Sequence, residues 1–170
     1  RRILFALRLN NPAFQAVRSF GVTLVYVDYT VPVTQLIAKI NEEGLNIVAG
    51  PPSLLRLLAA RSSEIRGSID AVVSYAEVLD DHTKTQIENA FSCPVVEIYQ
   101  ASEGFLASTC REGYLHLHED ILFFETLASQ DPLGSGQEFL LTDLYRRTQP
   151  MIRYKLGDLL EASPEPCSCG

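Results

Sequence analysis

Two short stretches hold the residues best suited to chemistry. Tyr99-Gln100-Ala101-Ser102-Glu103 offers a flat aromatic face, a hydroxyl and a carboxylate in close succession. A tyrosine ring can cover a base, a serine hydroxyl can hydrogen-bond a phosphate oxygen, and a carboxylate can hold a hard cation such as Mg²⁺. The second stretch is Arg153-Tyr-Lys-Leu-Gly-Asp158, in which Gly157 lets the chain turn and Asp158 can accept from both hydroxyls of a ribose. Each stretch has a plainer reading: a strand-to-loop junction with surface polar residues for the first, an ordinary Gly-Asp turn for the second. A third set is sulfur-rich. Cys110 and His116 flank an expected hairpin turn, Arg111-Glu-Gly113, and Cys167-Ser-Cys169 is a compact thiol pair near the other end of the region. Three thiolates and an imidazole make a closed tetrahedral Zn²⁺ site of the structural kind. Free cysteines beside a surface histidine are the competing reading, because the spacing is not the strong Cys-x-x-Cys doublet. His118 alternates with His116 and is a reserve ligand. Cys93, beside Pro94, reads as a packed side chain, and His82 as solvated.

The elements that must position these groups change character along the chain. Asn11-Pro12 predicts a helix start, with Gly21 as its stop. Val22–Val27 reads as a buried strand, Pro32–Glu43 as a helix stopped by Gly44, and Leu45–Ala49 as a strand. Pro52–Ala60 reads as a helix carrying Leu54, Leu55, Leu57 and Leu58. Ile69–Tyr75 follows as a strand, Asp80–Phe91 as a capped helix and Val95–Tyr99 as a strand. Strands separated by helices imply a parallel sheet with crossovers, whose ligands belong at the carboxyl ends of the strands. Beyond Gly104 only short strands are expected: Leu106–Cys110, Tyr114–His118, Ile121–Glu125 and Glu138–Thr142, joined by polar turns such as Pro132-Leu-Gly-Ser-Gly136. The expected class is α/β, with a parallel-sheet Rossmann-like subdomain over 1–104 and a small antiparallel β subdomain over 105–170.

Taken in order, these motifs resemble the ATP-binding signatures of adenylate-forming enzymes, the acyl/aryl-CoA ligase and luciferase superfamily. The run Leu141-Thr-Asp-Leu-Tyr-Arg-Arg-Thr-Gln-Pro-Met-Ile-Arg-Tyr-Lys-Leu-Gly-Asp158 is most similar to the phenylacetate–CoA ligase and capsule-biosynthesis branch. The resemblance extends from about Gly50-Pro-Pro-Ser53 to Gly170. It implies ATP or AMP as cofactor, bound by Ala76, Glu77, Tyr99, Gln100, Ala101, Ser102 and Asp158. Ser102 would hold phosphate and Glu103 would hold Mg²⁺. Ser74-Tyr75-Ala76-Glu77 looks like the family's Gly-Ala-Glu segment, with bulky Tyr75 in place of the usual small residue. The branch also has a similar Cys…His…Cys-x-Cys pattern, which favours Zn²⁺ at Cys110, His116, Cys167 and Cys169.

The implied reaction joins a small-molecule carboxylic acid to ATP and passes the acyl group to CoA or another thiol. Two parts of such an enzyme are not recognisable here: the Ser/Thr/Gly-rich phosphate loop and the mobile domain with its catalytic lysine. The segment is therefore expected to be a central fragment of the large domain, cut before the hinge and inactive alone. The alternative is a non-catalytic, zinc-stabilised α/β binding module. A net charge of −7 with scattered basic residues argues against nucleic acid as a partner. No apolar run reaches membrane-span length. Cysteine usage without secretory marks makes cytoplasm the default expectation. A second copy of the chain is a candidate partner. A serine hydrolase is disfavoured, since no Gly-x-Ser-x-Gly elbow surrounds any serine.

Overall fold

The computed structural model describes residues 1–8, 20–127, 136–163 and 165–169. The helix expected from Asn11 and the turn expected at 132–135 lie outside them. The chain divides into two compact units, Arg1–Ile98 and Tyr99–Gly170. The division falls upstream of the expected 104/105, so Tyr99–Glu103 lies entirely within the second unit.

The first unit is a parallel α/β layer. Its strands are β1 (Arg2–Leu7), β2 (Thr23–Asp28), β3 (Ile47–Gly50), β4 (Ala71–Ser74) and the part of β5 (Val95–Ala101) that precedes Tyr99, in the spatial order β2-β1-β3-β4-β5. Strand β1 was not expected. Its sequence, Arg-Ile-Leu-Phe-Ala-Leu, is a short apolar run with no turn signal before it. In the fold it pairs with both β2 and β3, and its Leu4 and Ala6 are completely buried. Helices α1 (Val33–Glu43), α2 (Pro52–Ala59) and α3 (Asp81–Phe91) connect successive strands.

Each helix is delimited by residues with a definite local job. α1 buries Leu36, Ile37 and Ile40 and stops at Gly44, which takes φ 58° and returns its N–H to the Ile40 carbonyl. α2 starts with Pro52 in its first turn and buries Leu54, Leu55 and Leu58, while Leu57 is left more than half exposed. α3 is capped by Asp80, whose carboxylate accepts from the Thr83 N–H at 2.8 Å and its hydroxyl at 2.7 Å. Leu55, Leu58 and Ile87 have no exposed surface, and burying each such side chain contributes about 1.5–3 kcal/mol. Cys93 packs against this core, where burial raises its thiol pKa, in keeping with a packed side chain.

The second unit is antiparallel. β6 (Gly104–Thr109) pairs with β7 (Leu115–Leu117), and β8 (Leu122–Thr126), β9 (Gln137–Asp143) and β10 (Tyr154–Leu160) form a sheet in the order β10-β9-β8. Its buried centre is Leu106, Leu122 and Leu141, with Tyr99, Ala101, Phe124, Met151 and Leu156 packed around them. The class is α/β with a small β unit.

Candidate functional site

The two chemically suggestive stretches meet within the second unit. The Tyr99 hydroxyl donates to Asp158 Oδ2 at 2.6 Å, across 59 positions of sequence. Burial first, and then this bond and the Asp158 charge, raise the Tyr99 pKa above the ordinary tyrosine value; Glu103 is near enough to add to the shift. A second pair lies beside the first. The Glu103 carboxylate lies close enough to Tyr154 to raise the Tyr154 pKa. This proximity was not anticipated, because the motif drew attention to Asp158 alone.

The local backbone differs from the expected turns. Tyr99, Gln100 and Ala101 are not on a loop but form the end of β5; only Ser102 and Glu103 make the turn into β6. The strand continues because Tyr99 and Ala101 both face the buried leucines of this unit. Gln100 and Ser102 are exposed, and Glu103 is half-buried. Asp158, likewise, is within β10 and not at a strand end. Gly157 has φ 83°, and the register with β9 is irregular between Lys155 and Leu159. Such a bulge re-aims the next side chain without ending the strand.

Arg146, also missed in the sequence, ties this region together. Its Nη2 donates to the Glu103 carbonyl at 2.7 Å, its Nη1 lies 3.4 Å from Met151 Sδ, and its Nε is 3.4 Å from Asp143 Oδ2. Asp143 Oδ1 accepts the Tyr145 and Arg146 amides at 2.9 and 2.8 Å, and these bonds lower the Asp143 pKa.

Ala76 and Glu77 belong to the first unit and are exposed. Ala76 adopts φ 68°, an uncommon choice for a residue with a Cβ. Glu77 accepts from the Ser53 N–H at 3.0 Å and the Ser53 hydroxyl at 2.9 Å, so its carboxylate caps the start of α2. It is neither a freely solvated acid nor, in this arrangement, an unengaged one. Tyr75, bulky where the resembled family has a small residue, is buried. Its hydroxyl donates to the Ala6 carbonyl at 2.5 Å and approaches the Ala49 carbonyl at 3.3 Å, bridging β1 and β3. Burial dominates the rise in its pKa.

The sulfur-rich set does come together. Cys110, His116, Cys167 and Cys169 each place a ligand atom within 4.8 Å of all the others. The hairpin brings the first two to one face. Cys110 N–H bonds to the Tyr114 carbonyl at 2.8 Å, and His116 pairs with Ser108, two residues from Cys110. Cys110 Sγ lies 3.8 Å from Cys167 Sγ, and Cys169 Sγ lies 3.5 Å from His116 Nε2. Zn–S and Zn–N bonds of about 2.3 and 2.0 Å at tetrahedral angles require edges of about 3.8 and 3.5 Å. The donor set therefore fits Zn²⁺, and the sulfurs are too far apart for a disulfide. The thiols are unequal. For Cys110, burial acts to raise the pKa but is outweighed by the Tyr114 and Glu112 amides and by Cys167 and Cys169, leaving it near 7; hydrogen bonding to Cys167, then burial, lifts Cys169 to about 11. His118 is not in the cluster. Its ring packs on Phe105 at 4.4 Å, and its Nε2 is buried with no partner.

No family model matches the chain. Protein CapK of Staphylococcus aureus is 32% identical over 114 residues, covering 66% of this chain and 24% of that protein. A 2-hydroxyisobutyryl-CoA ligase, solved in an open conformation with 2-HIB-AMP and CoA, superposes with a TM-score of 0.70 at 18% identity, covering 92% of this chain and 39% of that one. O-succinylbenzoate coenzyme A synthetase of Bacillus subtilis gives 0.60 at 14% identity, covering 93% and 38%. The chain thus spans about a quarter of its curated relative and under two-fifths of these solved structures. The chain shares its fold with solved acyl- and aryl-CoA ligases.

Proposed function

We propose that the second unit carries nucleotide-facing residues of an adenylate-forming ligase, and that the whole protein couples a carboxylic acid to a thiol. In the first half-reaction a carboxylate oxygen attacks the α-phosphorus of ATP, and the bond to pyrophosphate breaks. In the second, a thiol, of CoA or another carrier, attacks the acyl carbonyl and AMP leaves. The observation that carries this reading is the Tyr99–Asp158 hydrogen bond, which unites the two motifs at one place with Glu103 adjacent.

Asp158 binds the ribose hydroxyls through its carboxylate, oriented by the Tyr99 hydroxyl. Ser102, exposed on the turn, donates to a phosphate oxygen. Glu103 offers oxygen ligands of the kind Mg²⁺ takes, and the ion would neutralise phosphate charge. Zinc at the Cys110, His116, Cys167 and Cys169 set is structural, since four protein ligands leave no open position. The 170-residue chain does not catalyse adenylation alone, because no Ser/Thr/Gly-rich phosphate loop is recognisable in it.

Equilibrium binding of AMP and Mg²⁺·ATP to this chain and to Asp158→Ala tests the assignment. Losing two ribose hydrogen bonds to a charged acceptor should weaken both ligands by about tenfold or more. Equal affinity in the variant would refute the ribose role.

A further inference from the structure

We propose that Cys110 and Cys167 are a site of thiol oxidation, a pair that a hydroperoxide converts to a disulfide in exchange for the zinc their set fits. Their sulfurs lie 3.8 Å apart, across 57 positions of sequence. That is a contact between unbonded sulfurs, and a disulfide needs about 2.05 Å. Closing the gap requires one partner to follow the other. Cys110 is the fixed one: its N–H bonds to the Tyr114 carbonyl at 2.8 Å, and its carbonyl accepts from Gly113 at 3.0 Å. Cys167 is the adjustable one, since it lies beyond the end of β10 and outside every described strand and helix. Cys110, Cys167 and Cys169 are all half-buried, which leaves a route for a molecule as small as hydrogen peroxide.

The step balances within the pair. One thiolate attacks a peroxide oxygen and the O–O bond breaks, leaving a sulfenic acid on sulfur and releasing hydroxide. The second thiolate attacks the sulfenic sulfur, and a second hydroxide leaves as the S–S bond forms. The two sulfurs have given up two electrons, and the peroxide has taken them. Of the four donors only His116 and Cys169, 3.5 Å apart, then remain. Two ligands do not make a closed tetrahedral site, so zinc leaves. The tail stays tied, because the new bond joins it to the hairpin across the same 57 positions. Such a cross-link restricts the unfolded chain. Other pairings are less well placed. A bridge from Cys167 to Cys169 would close a strained ring across Ser168 alone. Cys93 belongs to the first unit and packs against its apolar core.

The test treats the reduced, intact chain with hydrogen peroxide, once loaded with zinc and once metal-free. Released zinc is read with a chromogenic chelator, thiols by titration, and the bridge by mass mapping of unreduced peptides. Two of the four thiols should disappear. About one zinc per loaded chain should be released in step with them. The 110–167 bridge should form in both samples, and dithiothreitol should restore the thiols and the uptake of zinc. Cys93→Ser should behave as the unaltered chain does. Hydrogen exchange resolved by segment should find the oxidised second unit at least about tenfold better protected than the reduced, metal-free one. A bridge mapped to Cys93 or between Cys167 and Cys169 overturns the proposal, as does oxidation to sulfinic acid with no bridge. Zinc retained after the 110–167 bond has formed, or a loaded chain that peroxide leaves unchanged, overturns it too. A chain that takes up no zinc overturns the exchange, whatever the mapping finds.

Discussion

The two units use their polar side chains in opposite ways. In the first, fifteen buried apolar residues form one continuous core, and the polar groups near the strand ends are spent on holding it. Tyr75 bridges two strands, and Glu77 caps a helix. In the second unit the buried apolar residues among those described are few, Leu106, Ala107, Leu122, Phe139 and Leu141, and polar residues are paired with each other at a half-exposed surface: Tyr99 with Asp158, and Arg146 with Asp143. A unit with so little apolar burial needs another source of order. The four-ligand sulfur and imidazole cluster offers it. The two units thus differ in what holds them, and three experiments press on that division.

The largest effect should come from the metal. Chelation, or substitution of Cys167 and Cys169 together by serine, should abolish the about one zinc per chain expected of a structural site and unfold the second unit. Elemental analysis and hydrogen exchange resolved by segment would follow both. The first unit should keep its protection. A chain whose second unit stays equally protected after exhaustive chelation would show that its small core suffices.

Next is Tyr75→Phe. It removes a hydroxyl from between the Ala6 and Ala49 carbonyls and leaves a buried acceptor without its donor. That should cost about 1–3 kcal/mol in denaturant titration, confined to the first unit. Equal loss of protection in both units would break the comparison.

The smallest effect concerns pH. The Thr83 amide, then the Thr83 hydroxyl, hold the Asp80 pKa below its ordinary value. A carboxylate with a depressed folded pKa contributes stability that is present above the unfolded value of about 3.9 and is lost as pH falls through the lower folded value. Asp80→Asn keeps an acceptor for the cap but cannot titrate. Thermal melts of the first unit between neutral and acid pH should show a shallower decline for the variant.

Local signals were read well where they act over a few residues. Gly44 and Asp80 delimit their helices as their types suggest, since a left-handed stop and a carboxylate cap need only neighbouring amides. The grouping of Cys110, His116, Cys167 and Cys169 was also legible, because a hairpin turn and a Cys-x-Cys turn place their side chains with little help. Strand β1 was not, as an apolar hexapeptide carries no mark of which strands it pairs with. Leu57 failed for a similar reason: four leucines in a short helix do not say which one faces water. Gln100 and Ala101 of the first motif and Asp158 of the second are expected at turns and lie within strands. Whether a strand continues through Ala101, or bulges at Gly157, depends on the leucines it packs against and on its partner's register.

The sequence by itself determined the types and order of the groups: an aromatic ring, a hydroxyl and two carboxylates in the motifs, a Cys₃His donor set, and alternating helices and strands that limit the fold to α/β. Those are properties of composition and short-range periodicity. Only the tertiary structure decided the partners. That Tyr99 reaches Asp158, and that Arg146 rather than a motif residue anchors the turn, follow from long-range strand pairing. Pairing energies depend on which surfaces meet, and a linear string does not contain those surfaces until the chain has closed on itself.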